Sequence, residues 1–182
     1  MSGKQSTSAM TVVEEGQGRQ IVGVRMPQDF YWILAQPTPL AGMRYPAASF
    51  PWSNLHAVGF YQVVSLHPGP YDPAPLTKVF SEHLEDLVGG GPPRDDVQER
   101  EKIRAAVKTI VGGLLSGQGV VVHCAGGRGR TGTVIGCCLR ELGFGADEVI
   151  EYLDRLHKAR SKPGWPESPW QSSLVKEWNH NA

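Results

Sequence analysis

The chain lacks long apolar runs and an excess of either charge. Nothing in its 182 residues approaches membrane-spanning length, and no charged segment followed by an apolar one opens the sequence. These absences argue against membrane insertion and secretion. Lysine and arginine total 18, as do aspartate and glutamate, so no electrostatic field is expected to attract nucleic acid. We expect a cytoplasmic monomer with neither a nucleic-acid partner nor stable membrane insertion.

Cysteines and histidines are also sparse. The three cysteines have no paired spacing, which favours a reducing compartment and a fold without disulfides. The six histidines show no metal-ligand spacing, so we predict no metal and no cofactor. The length suffices for the core of one domain. Residues 1–20 are polar and are predicted to be a flexible lead-in, followed by a single domain over 21–182.

One glycine-rich segment carries most of the information. It reads His-Cys-Ala-Gly-Gly-Arg-Gly-Arg-Thr-Gly over residues 123–132. The apolar run at 119–122 predicts a buried strand before it, and residues 133–142 predict a helix after it. A strand, a tight loop and a helix N-terminus form a cradle of backbone amides for an anion. We expect Cys124, at the mouth of this cradle, to be a thiolate that attacks phosphate.

Two other interpretations of this segment compete with the anion site. A nucleotide-binding loop is excluded because no Gly-Lys-Ser/Thr follows the glycines. A structural turn with an inert buried cysteine is the non-catalytic alternative. The adjoining His123, the interleaved glycines and the Arg-Thr pair at 130–131 favour the anion site.

Strand and helix patterns alternate along the chain. Strands are predicted at 30–35, 62–66, near 80–84 and at 120–123; helices are predicted at 95–115, 133–142, 146–159 and from 168 onward. The buried face of the first helix is predicted to contain Val97, Ile103, Ala106, Val107, Ile110 and Val111. This alternation predicts an α/β fold, with a small, mostly parallel central sheet flanked by helices on both faces.

The pattern His-Cys-x5-Arg-Thr resembles the signature of the cysteine-dependent protein tyrosine phosphatase superfamily. The spelling of the loop is most similar to small dual-specificity and kinase-associated-phosphatase-like members. Residues 30–33, 40–42 and 45–46 resemble the family's opening segment, and 59–66 its second strand. The resemblance covers about residues 25–178. It implies a phosphomonoester hydrolase that forms a phosphocysteine and acts on phosphotyrosine, and also on phosphoserine or phosphothreonine, in proteins.

Each residue of the signature then receives a role. Cys124 attacks phosphorus, while the Arg130 guanidinium and the loop amides hold the phosphate oxygens. The Thr131 hydroxyl is predicted to hydrogen-bond the Cys124 sulfur, and His123 to brace the loop. The substrate-binding residues are Ala125, Gly126, Gly127, Arg128 and Gly129.

A general acid must come from outside the signature. Residues 84–93 resemble the family's mobile acid loop, in which Asp86 matches the acid. Asp86 precedes Cys124 by 38 positions, farther than is usual, and Leu87-Val88 replaces a common glycine. Asp95 and Asp96 fit the distance better, yet they are placed as helix caps. We predict Asp86 and keep Asp95 and Asp96 as alternatives.

Gln171 occupies the place where many relatives carry a water-positioning glutamine; an exposed helix residue is the alternative. Cys137 and Cys138 are predicted to fill the core, with a regulatory disulfide to Cys124 as the less favoured possibility.

Arg128 departs from the usual spelling, since some relatives acting on inositol lipids carry lysine there. With residues 158–162 it would form a basic rim for a polyanionic substrate, unless it pairs with an acid or points to solvent. A phosphoinositide or other polyphosphorylated small molecule is therefore the alternative substrate. A non-catalytic phosphate-binding module is the alternative outside the enzymes.

Overall fold

The structure, a computed structural model, describes residues 10–179. Its five strands form a single sheet: β1 Phe30–Leu34, β2 Leu40–Met43, β3 Phe60–Ser65, β4 Thr77–Ser81 and β5 Gly119–His123. The strand order is β1-β2-β5-β3-β4. β1 and β2 are antiparallel, and every other neighbouring pair is parallel. The predicted small, mostly parallel sheet is confirmed, with the strand that precedes Cys124 at its centre.

Helices cover both faces of this sheet. They are α1 Trp52–Ala57, α2 Asp96–Leu115, α3 Gly129–Glu141, α4 Ala146–Ala159 and α5 Pro169–Glu177. Side chains alternate between the faces along a strand, so Val120 and Val122 join the core under α2, α3, α4 and α5. Val121 points to a second cluster that contains Trp52 and Leu55 of α1. β5 is therefore buried on both sides, as its unbroken apolar run predicts.

Several local predictions differ from the structure. β2 and α1 were not predicted as elements, because four and six residues are too few for a periodic pattern to show. α3 begins at Gly129 rather than at residue 133, since its first turn is built from the signature glycines. Val97 was predicted to be buried but is 67 % exposed, because it lies in the first turn of α2, at the edge of the helix contacts.

The predicted flexible lead-in is wrong for residues 10–20, while residues 1–9 lie outside the described part of the chain. Val12 bridges to Leu34 at the edge of the sheet, and the Val13 amide donates to the Ile33 carbonyl at 2.8 Å. The Tyr152 hydroxyl of α4 donates to the Val13 carbonyl at 2.9 Å. These contacts pack this part of the segment against β1 and α4. The assignment of 21–182 to one catalytic domain stays a prediction.

Candidate active site

The site forms where three parallel strands end side by side. Met43 of β2 and Ser65 of β3 both pair with His123 of β5, so the residues that follow these strands converge at one edge of the sheet. Cys124 comes next and is only 2 % exposed. The Gly127 amide donates to its Sγ at 3.2 Å. The fold therefore delivers the thiol to the floor of a concave loop.

The carbonyls of this loop, residues 124–129, are held from outside. Tyr45 N donates to the Ala125 carbonyl at 2.9 Å. The Gly127 carbonyl accepts from Tyr31 Oη at 2.7 Å and from Arg160 Nη1 at 3.1 Å, and Trp165 Nε1 donates to the Gly129 carbonyl at 3.3 Å. With these carbonyls engaged outward, the loop amides other than that of Gly127, which donates to Cys124 Sγ, are left for an anion on the inner side.

Close approach constrains two glycines of the loop, Gly127 by backbone atoms and Gly129 only by the end of a side chain. Gly127 has φ +70, and a Cβ there would lie 2.5 Å from the Met43 carbonyl carbon. A Cβ on Gly129 would lie 1.7 Å from Glu167 Oε2. Gly126, in contrast, has open space around its Cα. The glycine spacing therefore reflects specific neighbours on β2 and on the segment before α5.

His123 braces the loop through a fixed tautomer. Its Nδ1 lies 3.2 Å from the Cys124 carbonyl, which can only accept, so Nδ1 carries the proton. Nε2 then accepts from the Tyr71 hydroxyl. Burial lowers the pKa of His123 to about 4 and raises that of Tyr71 to about 12. At neutral pH the imidazole is therefore uncharged and the hydroxyl keeps its proton, an arrangement that suits orientation rather than proton transfer.

Arg130 and Asp86 meet in the pocket. Arg130 Nη2 donates to Asp86 Oδ2 at 2.8 Å, and Nη1 lies 3.5 Å from His67 Nδ1. The Asp86 side chain is 49 % exposed and that of Arg130 only 7 %. The carboxyl group of Asp86 therefore lies at the mouth of the pocket, and the guanidinium of Arg130 forms part of its wall.

The two alternative acids are engaged elsewhere. Asp95 caps α2 by accepting from the Gln98 amide at 2.9 Å. Asp96 accepts from Arg100 and from Trp170 Nε1, and these hydrogen bonds, with that of Trp170 the stronger influence, lower its pKa. Neither lines the pocket around Cys124, so Asp86 is the candidate that the fold brings to the nucleophile.

The predicted contact of Thr131 is not made, and Gln171 lies in a capping turn. The Thr131 hydroxyl is buried and has no hydrogen-bond partner among residues 10–179, so the predicted bond to the Cys124 sulfur is wrong; the Gly127 amide takes that place. Gln171 is buried rather than exposed, and its Oε1 accepts from the amides of Glu167 and Ser168. That oxygen shapes the turn into α5 because it satisfies amides that the helix leaves unpaired.

Arg128 pairs with an acid, one of the alternatives left open by the sequence. Its Nη2 lies 2.9 Å from Glu167 Oε1, and its Nη1 donates to the Gly164 carbonyl at 2.9 Å. Burial raises the pKa of Glu167, against the opposing effect of Arg128. The predicted basic rim over 158–162 is reduced further: Lys158 pairs with Asp154, and Arg160 is buried behind the loop.

The pocket above Cys124 has a volume of about 310 Å³. Its lining residues are Asp86, Val88, Cys124, Gly126, Arg128, Gly129, Arg130, Lys162, Pro163 and Glu167. Sequence reasoning missed the residues that support it from behind. Tyr31 lay within the resembling opening segment and Arg160 within the supposed rim, but no local pattern signalled their shared contact with Gly127.

Neither a metal site nor a membrane-spanning helix is found among the described residues. Between residues 10 and 179, no three His, Cys, Asp or Glu side chains are grouped to hold a metal ion. No helix in the same range is long and apolar enough to cross a bilayer.

Comparison with known proteins agrees with this geometry. Residues 27–165 match the family described as Swiss Army Knife protein, DSP-PTPase phosphatase domain. The chain belongs to this family. The resemblance inferred from the signature is thereby confirmed. The loop that contains Cys124 and Arg130 lies within the matched residues of this DSP-PTPase domain.

Individual relatives support the same assignment. The dual specificity protein phosphatase CDC14AB of Danio rerio is 32 % identical over 136 residues, which are 74 % of this chain and 21 % of that protein. The chain therefore spans only about a fifth of the length of this curated relative. Tk-PTP in its active form has a TM-score of 0.59 at 23 % identity, covering 87 % of this chain and 100 % of that chain. Kinase associated phosphatase (KAP) has the same TM-score at 15 % identity, covering 85 % and 95 %. The two solved structures show the shared fold.

Proposed function

We propose that this DSP-PTPase domain hydrolyses phosphate monoesters through a phosphocysteine intermediate. The observation that carries the proposal is the convergence of Cys124, Arg130 and Asp86 on one pocket of about 310 Å³. A nucleophile, a guanidinium fork and a proton donor are the three parts that phosphate ester cleavage requires. The non-catalytic alternative is disfavoured because none of the three is missing.

In the first step the Cys124 thiolate attacks phosphorus and forms the S–P bond while the ester P–O bond breaks. Arg130 and the loop amides hold the three equatorial oxygens. Asp86 gives its proton to the departing oxygen, so the leaving group departs as a neutral alcohol or phenol.

In the second step water attacks the phosphocysteine. Asp86, now a carboxylate, accepts a proton from the water, the S–P bond breaks, and inorganic phosphate leaves with the Cys124 thiolate restored. Thr131 and Gln171 were predicted to assist the sulfur and the water. The Thr131 hydroxyl makes no hydrogen bond to the described residues and Gln171 caps α5, so neither role is part of this proposal.

A phosphorylated protein, with phosphotyrosine first, is the substrate class that the charges favour. A polyanion needs several free cations around the pocket, but Arg128 is held by Glu167 and Arg160 is buried. Lys162 is the remaining lysine in the lining. One phosphate fits this balance better than the several phosphates of an inositol compound. Cytoplasmic location and the monomeric state stay predictions.

Phosphate release from three substrates tests the proposal: a phosphotyrosine peptide, a phosphothreonine peptide and a short-chain phosphoinositide, each with Cys124→Ser as the blank. We expect release from the peptides, loss in the variant, inhibition by orthovanadate and no effect of chelators. Preference for the phosphoinositide would replace the protein substrate by the small-molecule alternative. Absence of release from all three would favour the binding module.

A further inference from the structure

A second concave surface lies beside the phosphate loop. It has a volume of about 760 Å³ and is formed by the segments 23–29 and 43–51. We call it the side cleft. The residues that matter below are Arg25, Asp29, Arg44, Tyr45 and Phe50, all in its lining. Its size is within the range of ligand sites, and the chemistry proposed above uses none of these residues.

The side cleft is built on the same strand ends as the nucleophile. Met43 pairs with His123 in the parallel register, so Arg44 and Cys124 are the next residues of two strands about 4.8 Å apart. Tyr45 is hydrogen-bonded to the Ala125 carbonyl, and its ring contacts that of His123 with centroids 5.5 Å apart. A chain whose phosphorylated side chain enters the pocket therefore has its neighbouring residues within reach of Arg44.

Charge distinguishes the side cleft from the pocket rim. Two arginines, Arg25 and Arg44, and one acid, Asp29, line the side cleft, and both arginines are exposed. Arg44 Nη1 lies 3.6 Å from Asp29 Oδ1, with side chains 61 % and 34 % exposed. An ion pair this open to water contributes little, so the Arg44 guanidinium can exchange Asp29 for another carboxylate.

We propose that the side cleft binds acidic residues that flank the phosphorylated residue of a protein substrate. The proposal rests on the proposed phosphatase function and gives it a sequence preference. Arg25 and Arg44 hold the flanking carboxylates, while Asp29 competes with them for Arg44. Tyr45 and Phe50 supply apolar surface for the peptide between these charges.

The test is that Arg44→Ala and Asp29→Asn should shift KM in opposite directions. Phosphotyrosine peptides that differ only in flanking Glu, Gln or Lys are compared by steady-state kinetics. Wild type is expected to have the lowest KM for the Glu peptide. Arg44→Ala and Arg25→Ala should each raise that KM about two- to five-fold, and Asp29→Asn should lower it, with kcat unchanged in all three.

Controls separate this effect from general damage. Arg104→Ala removes an exposed arginine of α2 in a different groove and should leave all KM values unchanged. Turnover of p-nitrophenyl phosphate, which has no flanking residues, should not respond to Arg25→Ala, Arg44→Ala or Asp29→Asn. The proposal is overturned if the Glu and Gln peptides have equal KM, or if Asp29→Asn and Arg44→Ala shift KM in the same direction.

Failure of the proposed function is recognised separately. Binding of the same three peptides to Cys124→Ser, followed by fluorescence anisotropy, measures the flanking preference without turnover. Tighter binding of the Glu peptide with no phosphate release by wild type would support the side cleft and contradict the phosphatase. Equal binding of the three peptides would contradict the side cleft whatever the enzyme does.

Discussion

Asp86 occupies part of the guanidinium that a substrate phosphate would use. Arg130 Nη2 donates to Asp86 Oδ2, and a bidentate phosphate needs two N–H groups of the same planar fork. Substrate phosphate therefore competes with Asp86 for Arg130. Once displaced, the half-exposed carboxyl group lies at the mouth of the pocket, where the leaving oxygen would be.

Asp86→Asn should separate good leaving groups from poor ones. Without a proton donor, kcat for a phosphotyrosine peptide should fall about 100-fold or more, while p-nitrophenyl phosphate, whose leaving group needs little protonation, should lose less. The measurement is kcat for both substrates in wild type and variant. Asp95→Asn and Asp96→Asn serve as matched controls, and an equal or larger loss in either would move the acid to α2.

His123 should make stability depend on pH. Unfolded histidine binds a proton near pH 6.5, whereas burial lowers the folded pKa of His123 to about 4. Between these values the unfolded state binds more protons, so the free energy of unfolding falls as pH falls. His157 is buried and its pKa is also lowered, and it should act in the same direction.

We therefore expect the free energy of unfolding, measured by urea denaturation, to drop by about 1.6 kcal/mol between pH 6.5 and 5 because of His123, with a further drop from His157. His123→Asn keeps a donor near the Nδ1 position but cannot titrate, so its slope should be smaller. An unchanged slope in this variant would show that other groups govern the pH dependence.

At the scale of elements, the loop between β5 and α3 should tolerate a methyl group at one glycine and reject it at the next. Gly127→Ala meets both a positive φ and the Met43 backbone and should lower the free energy of unfolding by about 2 kcal/mol or more. Gly126→Ala meets open space and should change it by less than about 0.5 kcal/mol. Urea unfolding of the two variants compares them directly; equal losses would contradict the steric role of the Met43 backbone.

The elements show what sequence patterns can and cannot predict. α4 was predicted with the bounds that it has, because its apolar residues recur with helical spacing on one face. β2 was not predicted because Leu40–Met43 is too short for a pattern, although it pairs with β5 and leads into Arg44. Asp86 could be preferred over Asp95 and Asp96 because of its loop, but its contact with Arg130 could not be derived from the sequence, since the two residues are 44 positions apart.

At the scale of the whole molecule, residues 10–20 pack against both β1 and α4 and so connect them. The Trp32 indole donates to the Arg19 carbonyl at 3.0 Å, and Gly16 lies against Tyr31 and Leu156. A chain that begins at residue 21 should lose about 2–4 kcal/mol of unfolding free energy. Tyr152→Phe removes one hydrogen bond to Val13 and should lose about 1 kcal/mol. Both are measured by urea unfolding, and equal stability of the shortened and full chains would contradict a stabilising role for residues 10–20.

The outward contacts of the phosphate loop have a consequence for transplantation. The ten residues 123–132 look self-contained in the sequence, yet several of their carbonyls accept hydrogen bonds from distant residues, namely Tyr31, Tyr45, Arg160 and Trp165. These partners are spread over more than two thirds of the chain. If residues 123–132 were grafted between another strand and helix, the nucleophile would be transferred but the loop conformation would not be maintained. A chimera must therefore also include the residues that donate hydrogen bonds to the loop carbonyls.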